Sequence, residues 1–364
     1  MNRCGQGKTL ASIPLKKTSW PFTILSAGLL LRFFYSLTIP ANAFTDNLHH
    51  LKNTAWVIEN PALLLSLPGP TFPLYYFFNG LVLSVLPFEY PFTRLFPFFL
   101  QACQALLILA ILRKVTKNEA AITGALIFVL FHPMLIRYGG LNYTGTLAGV
   151  FVLASAYLLM NKENKASLIA LALSCLTKLT GFVAVPGMLY AQARKRKNYF
   201  LLAAIPAFFA YVFRSEETAI LFLKQAARIL SPLSFLIHKP EYALFLPWTF
   251  WGMPHFKWAW SIGPGIVAWV ILAPILWGII QGFPRLKQRN RALYDFLLIS
   301  SPLFLLACLH TYGDARYMIP IIPLWSVPLA LFLEKHELKW SLWFLVLFST
   351  GMAAFTVALY AGGY

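Results

Sequence analysis

Acidic residues are scarce in this sequence, which has 12 Asp and Glu against 30 Lys and Arg and a net charge of +18. In a soluble chain, so large an excess of positive charge would suggest nucleic-acid binding. Here the basic residues fall in short clusters between apolar runs, which is typical of the cytoplasmic loops of membrane proteins. The sequence therefore argues against a nucleic-acid partner.

Cysteines and cofactor motifs are also sparse. The chain has no internal repeat, low-complexity tract, Walker loop, Rossmann glycine motif or zincin helix, so coupling to a nucleotide is not indicated and no cofactor is predicted. The cysteines are scattered and three of them lie in apolar runs, so neither a disulfide framework nor a zinc site is expected. They are Cys4, Cys103, Cys175 and Cys308.

Apolar sequence is abundant instead: 59% of the residues are hydrophobic, 12% are charged and the mean hydropathy is +0.66. This much apolar surface cannot all be hidden from water inside a soluble fold of 364 residues. The composition predicts an all-α polytopic membrane protein, a transmembrane helix bundle in which residues 1–364 form one integral membrane domain without a separate soluble domain.

The basic clusters set the predicted topology, because they mark the cytoplasmic sides of the helices. They lie at 3–17, 113–117, 162–165, 194–197, 285–291 and 335–339. The apolar runs between them predict spans at 22–39, 95–112, 120–136, 142–160, 199–213, 262–282, 294–310, 317–333 and 340–360. A cytoplasmic N-terminus at 1–21, a first outer loop at 40–94, a second long outer loop at 214–261 and an outer C-terminus follow.

Two further apolar segments do not fit this alternation. Segment 71–88 is bracketed by prolines, and counting it as a crossing would place the cluster at 113–117 on the wrong side, so we expect an interfacial or shallow re-entrant helix. Segment 166–190 has basic clusters at both ends and a break at Thr177-Lys178-Leu179-Thr180-Gly181. It predicts a hairpin with Lys178 at its outer tip; the alternative is one ordinary span with a snorkelling lysine.

This topology puts most acidic residues and six of the seven histidines on the outer face, so the function is sought there. Asp46 begins the first outer loop, shortly after Arg32 late in the first span. A cation at that depth needs a partner, and intramembrane ionisable residues are candidates for function by default. A structural Arg32–Asp46 pair, or a snorkelling Arg32, is the alternative.

Several motifs, in this order along the chain, resemble the GT-C glycosyltransferases, whose members include protein O-mannosyltransferases and aminoarabinose transferases. They are Arg32, Asp46, a Pro-Leu-Tyr-Tyr segment at 73–76, HPMLIRYGGLNYTGTLAGVF at 132–151, LTKLTGFVAVP at 176–186 and ARYMIPIIPL at 315–324. The resemblance implies transfer of a sugar from a polyprenyl-phosphate carrier to an acceptor on the outer or lumenal face, in a bacterial inner membrane or, as an alternative, the endoplasmic reticulum.

By the same resemblance, Asp46 is the catalytic base that takes the proton from the acceptor hydroxyl. Chemistry agrees, since a general base must contact the attacking group and a leaving phosphate needs fixed positive charge. Arginine suits phosphate through paired donors, and lysine acts as a point charge. The expected substrate-binding residues are Arg32, Arg137, Lys178, Arg316, Tyr75, Tyr76 and Asn142, the tyrosines stacking on sugar or isoprenoid.

The sequence departs from the family pattern in places. Many relatives carry two adjacent acids in the first loop, where this chain has Asp46-Asn47, and Asn142 stands where a second acid often follows. We expect no soluble C-terminal domain like that of large members, which would favour a small or lipid-linked acceptor. Asp46, His49 and His50 have helical spacing and are possible ligands for a divalent metal, an alternative to the metal-free expectation.

Two other function classes stay open at this point. A transporter or flippase for a lipid-linked or small anionic solute would use Arg32 and Lys178 as binding charges, and it predicts paired broken helices from an inverted repeat. A membrane acyltransferase using a histidine is the third possibility.

Overall fold

A computed structural model describes residues 20–38, 45–66, 73–87, 89, 91–193, 216, 219–220, 258–310 and 315–336. The described helices are α1 (Trp20–Thr38), α2 (Thr45–Glu59), α3 (Pro73–Leu83), α4 (Leu95–Val115), α5 (Glu119–Leu130), α6 (Pro133–Gly139), α7 (Thr144–Met160), α8 (Asn164–Cys175), α9 (Val185–Ala193), α10 (Trp258–Arg289), α11 (Arg291–His310) and α12 (Ile322–His336). Short 3-10 turns occupy Pro61–Ser66, Phe92–Arg94, Leu179–Ala184 and Ala315–Met318. No strand occurs in these ranges, as the predicted all-α class requires.

Among the described residues, most predicted spans coincide with helices, but the run 317–333 begins in the 3-10 turn at Ala315–Met318 and another span is divided. The run 120–136 is divided into α5 and α6, because Pro133 cannot continue the hydrogen-bonding pattern of α5 and instead takes a position at the start of α6. The expected spans 199–213 and 340–360, most of the loop 214–261 and nearly all of the N-terminal segment 1–21 lie outside the described residues.

The hydrophobic core is built from α1, α4, α5, α7 and α10 to α12, and large apolar side chains also face outward. Among the described helices, α1 and the stretch Phe92–Val115 have the length and hydropathy of a membrane span, and α5, α7 and α8 are shorter apolar helices. Leu30, Phe34, Phe99 and Leu106 are exposed on α1 and α4. Outward-facing apolar surface of this kind indicates contact with lipid.

One end of the bundle collects the basic clusters. Lys114 at the end of α4 donates a hydrogen bond to Asn161, just after α7. Lys162, Ala191 and Arg291 line a common cavity, which brings together the loop after α7, the end of α9 and the start of α11. The basic clusters at 113–117, 162–165 and 285–291, which the structure describes, therefore lie at the same end, as the charge pattern predicted.

Residues 164–193 form the predicted hairpin. Asn164 at the start of α8 and Ala191 near the end of α9 line the same cavity, and Ser167 Oγ lies 3.4 Å from Met188 Sδ. Both ends of the segment therefore lie at the basic end of the bundle. Lys178 occupies the turn between them, after α8 and before the 3-10 turn at Leu179–Ala184. The alternative of a single continuous span is wrong.

The predicted interfacial segment 71–88 contains α3, which has 11 residues. At about 1.5 Å per residue this helix is roughly half as long as the hydrocarbon layer is thick. It packs against α2 instead, through a small cluster in which Tyr75, Tyr76 and Val57 are buried. The two short helices thus form a platform at the end of the bundle opposite the basic clusters.

Candidate functional site

Helix α2 carries the predicted catalytic residue. Asp46 lies in its first turn, and the backbone from Thr45 to Glu59 is helical, so Asp46, His49 and His50 have the helical register expected from the sequence. The side chain of Asp46 is outside the described part of the structure. The neighbouring side chain of Asn47 is buried, and its Oδ1 accepts hydrogen bonds from Arg94 Nη1 at 3.0 Å and from the Asn142 backbone N at 2.9 Å.

Polar side chains fill the contact between α2 and α3. His50 Nδ1 lies 2.7 Å from Tyr76 Oη, and Asn53 Nδ2 donates to the same hydroxyl at 3.4 Å. Asn79 Nδ2 donates to Thr54 Oγ1 at 3.0 Å. Buried polar groups of this kind are costly unless they are paired, so the network fixes how α2 lies on α3.

Two cations stand beside this contact among tyrosine rings. Lys178 at the tip of the hairpin donates to Tyr143 Oη, and its ammonium lies 3.8 Å from the centre of the Tyr143 ring and 5.3 Å from that of Tyr317. The guanidinium carbon of Arg316 lies 5.9 Å from the ring centre of Tyr138. Contacts of this kind are an electrostatic attraction between a cation and the face of an aromatic ring, and they hold both cations against the tyrosines.

The electrostatics of His50 show that these groups share one environment. Burial, followed by the charges of Lys178, His49 and Arg316, lowers the pKa of His50 to about 3. The imidazole is therefore neutral at physiological pH, and Lys178 and Arg316 are cations that act on it. The His50 ring also lies 6.2 Å from the Tyr143 ring, between the platform and the hairpin tip.

The structure brings most of the predicted residues to one place. Tyr75, Tyr76, Asn142, Lys178 and Arg316 all belong to this contact network, although they come from four separate stretches of the chain. Helix α2, whose first turn contains Asp46, packs against this network. We call this assembly of α2, α3, the loop before α7, the hairpin tip and the 3-10 turn at Ala315–Met318 the polar end.

Arg32 does not join the polar end. It is 1% exposed, and its guanidinium donates to the carbonyl oxygens of Leu130 at 2.8 Å and Val129 at 2.5 Å and to Gln101 Oε1 at 3.1 Å. The two carbonyls belong to the last turn of α5, where backbone acceptors lack helical partners. The expectation that Arg32 binds substrate is therefore corrected: its charge stabilises the end of α5. Arg137 lies in α6, and its side chain is outside the described residues.

The described residues do not provide a set of ligands for the divalent metal that the sequence left open as an alternative. Among the residues that the structure describes, no group of three or more His, Cys, Asp or Glu side chains is placed to hold an ion, and the side chain of Asp46 is not among them. His50 Nδ1 is occupied by Tyr76, and Asn53 Nδ2 lies 3.2 Å from His49 Nε2. Metal dependence stays an open prediction.

Sequence reasoning missed Arg94 and the part that Asn47 plays. Arg94 is 1% exposed and donates to both Asn47 and the Gly140 carbonyl. A signal was present, because Arg94 stands at the start of the most apolar predicted span, where a cation needs a partner. Asn47 was noted only as a departure from an acidic pair, and its role as an acceptor had no sequence signature.

A comparison with solved structures finds a similar fold. The chain is similar in fold to ArnT from Cupriavidus metallidurans, crystallised in the apo state, with a TM-score of 0.55 and 13% sequence identity; the match covers 86% of this chain and 59% of ArnT. The predicted resemblance is therefore confirmed at the level of the fold. No protein-family model matches the sequence, and a search of curated proteins finds no match.

The likeness and the apolar helices together indicate an integral membrane protein with a helical bundle of the ArnT kind. This chain spans about three fifths of the length of ArnT. Its activity, substrates and partners are therefore a matter for proposal.

Proposed function

We propose that this protein is a membrane glycosyltransferase that moves a sugar from a polyprenyl-phosphate carrier to an acceptor hydroxyl on the outer or lumenal face, with Asp46 as general base. The observation that carries the proposal is the polar end: Lys178 and Arg316 stand beside the helix that bears Asp46, at the end of the bundle opposite the basic clusters. The ArnT-like fold supports the same reaction class.

The proposed chemistry divides the work between opposite charges. Asp46 accepts the proton of the acceptor hydroxyl as that oxygen attacks the anomeric carbon, and the carbon–phosphate oxygen bond breaks in the same displacement. Lys178 and Arg316 stabilise the negative charge that develops on the departing polyprenyl phosphate. We place the sugar on the side of the site where Tyr75, Tyr76 and Asn142 lie buried, while the polyprenyl chain stays in the lipid.

The acceptor proposed here is a small or lipid-linked molecule, and the membrane is a bacterial inner membrane. No metal is required by this scheme, because the leaving group is already a phosphate facing two fixed cations. Divalent-metal dependence is checked directly by comparing turnover with and without a chelator.

The central test is Asp46→Asn. We expect transfer to fall by about 10²- to 10⁴-fold, since the amide cannot accept the proton, while folding is retained. The measurement is movement of radiolabel from undecaprenyl-phosphate-linked mannose, glucose or aminoarabinose to extracted membrane lipids by the purified protein. Glu59→Gln is the matched control, because it removes an exposed acid from the other end of the same helix.

Retained turnover in Asp46→Asn would remove the catalytic-base assignment. Flux of a labelled lipid or anionic solute across proteoliposomes, with no transfer of label by the wild-type protein, would favour the transporter or flippase alternative. That alternative also expects a second broken helix related to the hairpin at 164–193, and the described ranges contain one such hairpin.

A further inference from the structure

We infer that Arg94 and Asn142, acting through the side chain of Asn47, are positioning residues that fix the first turn of α2 and thereby Asp46. The inference rests on the proposed function. We call the three residues Arg94, Asn47 and Asn142 the Asn47 clamp. It is distinct from the cations assigned to the phosphate, because its members contact each other and the backbone.

One oxygen atom is the centre of the clamp. Asn47 Oδ1 accepts from Arg94 Nη1 at 3.0 Å, from the Asn142 backbone N at 2.9 Å and from Asn142 Nδ2 at 3.2 Å. Asn47 is 1% exposed and Asn142 is fully buried. A carbonyl oxygen has two lone pairs, so three donors use its full capacity to accept hydrogen bonds. Because the site is buried, a donor that lost this oxygen would find no water to replace it.

The donors themselves are anchored to different parts of the fold. Arg94 stands immediately before α4 and also donates to the Gly140 carbonyl at 3.2 Å, which ties the base of α4 to the loop before α7. Asn142 belongs to that loop. The first turn of α2 is thus held against two neighbouring elements of the bundle at one point.

The same loop holds α2 a second time, further along the helix. Asn142 Oδ1 accepts from Tyr75 Oη and from Asn79 Nδ2, both at 3.3 Å, and Asn79 Nδ2 also donates to Thr54 Oγ1. Two attachments, at Asn47 and at Thr54, fix both the position and the rotation of α2. Since Asp46 directly precedes Asn47, its backbone cannot shift without disturbing the clamp.

Positioning of this kind matters for a general base, because a misplacement of about 1 Å can cost on the order of 100-fold in rate. The clamp also explains what the unusual Asp46-Asn47 pair provides in place of two acids. At position 47 the chain needs an acceptor for three donors, one of them a cation, and either an amide or a carboxylate oxygen can supply it.

The test uses Asn47→Ala and Arg94→Lys, which remove or misplace the clamp, and Asn47→Asp, which keeps an acceptor. Arg32→Lys is the matched control, because it makes the same change at an equally buried arginine whose bonds go to the end of α5. Hydrogen–deuterium exchange of the full-length protein in detergent reports on amides 49–53 of α2, without need of a substrate.

We expect Asn47→Ala and Arg94→Lys to speed exchange in this segment by about tenfold or more, and Asn47→Asp to restore wild-type protection. Arg32→Lys should leave α2 protected and affect α5 instead. In the transfer assay with undecaprenyl-phosphate sugars, Asn47→Ala and Arg94→Lys should lower kcat by about 10- to 100-fold with KM nearly unchanged, and Asn47→Asp should recover most of kcat.

Wild-type exchange in α2 in both clamp variants would overturn the inference, as would an Asn47→Asp protein as impaired as Asn47→Ala. Equal losses of kcat in Arg94→Lys and Arg32→Lys would reduce the clamp to a general contribution to stability. If the clamp variants loosen α2 but Asp46→Asn retains full transfer, the proposed function fails and the positioning role falls with it. The two failures are therefore distinguishable.

Discussion

At the residue scale, two arginines that the structure describes as fully buried, Arg32 and Arg94, have different tasks. Arg32 serves two backbone carbonyls at the end of α5 and the amide of Gln101, whereas Arg94 serves Asn47 and the loop before α7. The sequence identifies Arg32 as a cation that needs partners but cannot name them, because backbone carbonyls have no sequence signature. The partners of Asn47 are likewise hidden, since they lie 47 and 95 residues away along the chain.

His50 gives a prediction about pH. Its pKa is lowered to about 3 in the folded protein, against an ordinary value of 6.5. Below about pH 6.5 His50 binds a proton in the unfolded chain but stays neutral in the folded protein. The contribution of neutral, buried His50 to stability is therefore complete above that pH and is lost progressively as the pH falls. His50→Gln should therefore flatten the fall of the thermal midpoint between about pH 7 and pH 5.

The measurement is thermal unfolding in detergent across that pH range. His49→Gln is the control, because His49 is the exposed neighbour on the same helix. An unchanged slope in His50→Gln would show that the pKa of His50 is the same in the folded protein as in the unfolded chain.

At the element scale, some helices pack so closely that only a small residue fits between their backbones, and small residues are the only sign of this in the sequence. Gly282 of α10 packs on the carbonyl of Pro328 inside α12, and a Cβ at this position would overlap that carbonyl. Gly80 of α3 is different, since the nearest atom to a Cβ there would be Ile58 Cγ1 at 3.6 Å, an ordinary contact. A glycine in the sequence is thus not itself evidence of tight packing.

Gly282→Ala should destabilise the protein, because α10 and α12 must separate to admit the methyl group, at a cost of roughly 1 to 3 kcal/mol. Gly80→Ala should be neutral or stabilising by up to about 1 kcal/mol, since alanine favours the helix. Thermal unfolding in one detergent measures both. A larger loss in Gly80→Ala than in Gly282→Ala would contradict the contact between α10 and α12.

Secondary structure could be predicted from the sequence where charge and hydropathy agree. The basic residues at both ends of 166–190 predicted a segment that returns to its starting side, and the structure has the hairpin with Lys178 at its turn. The break between α5 and α6 was missed because the apolar run continues through it, although Pro133 was a visible signal. Local composition alone does not reveal where a helix ends inside an apolar run.

At the scale of the whole molecule, charge separates the two ends of the bundle. Positive loops gather at one end, and α2, α3, Lys178 and Arg316 gather at the other. The positive-inside rule predicts that the first end lies in the cytoplasm and the polar end outside. The sequence predicts this arrangement because clusters of Lys and Arg can be located directly in it. The contacts within the polar end join residues that are far apart along the chain, so the sequence does not reveal them.

Cysteine labelling tests the orientation. In a variant without the four native cysteines, His49→Cys should react with a membrane-impermeant maleimide in intact cells, and Lys165→Cys only after permeabilisation, since both positions are exposed at opposite ends. Each variant is the control for the other, because the two cysteines should differ in their access to the impermeant reagent. The reversed pattern would put the polar end in the cytoplasm and remove the proposed function.

The hairpin at 164–193 has a consequence for how the chain could vary. Because it enters and leaves the bundle at the same end, it adds an even number of passages and leaves the orientation of all later helices untouched. Residues 164–193 could lengthen, shorten or disappear without inverting anything downstream. What such a change would remove is the positive charge of Lys178 at the opposite end, together with the packing of Leu171, Ala184 and Met188 in the hydrophobic core.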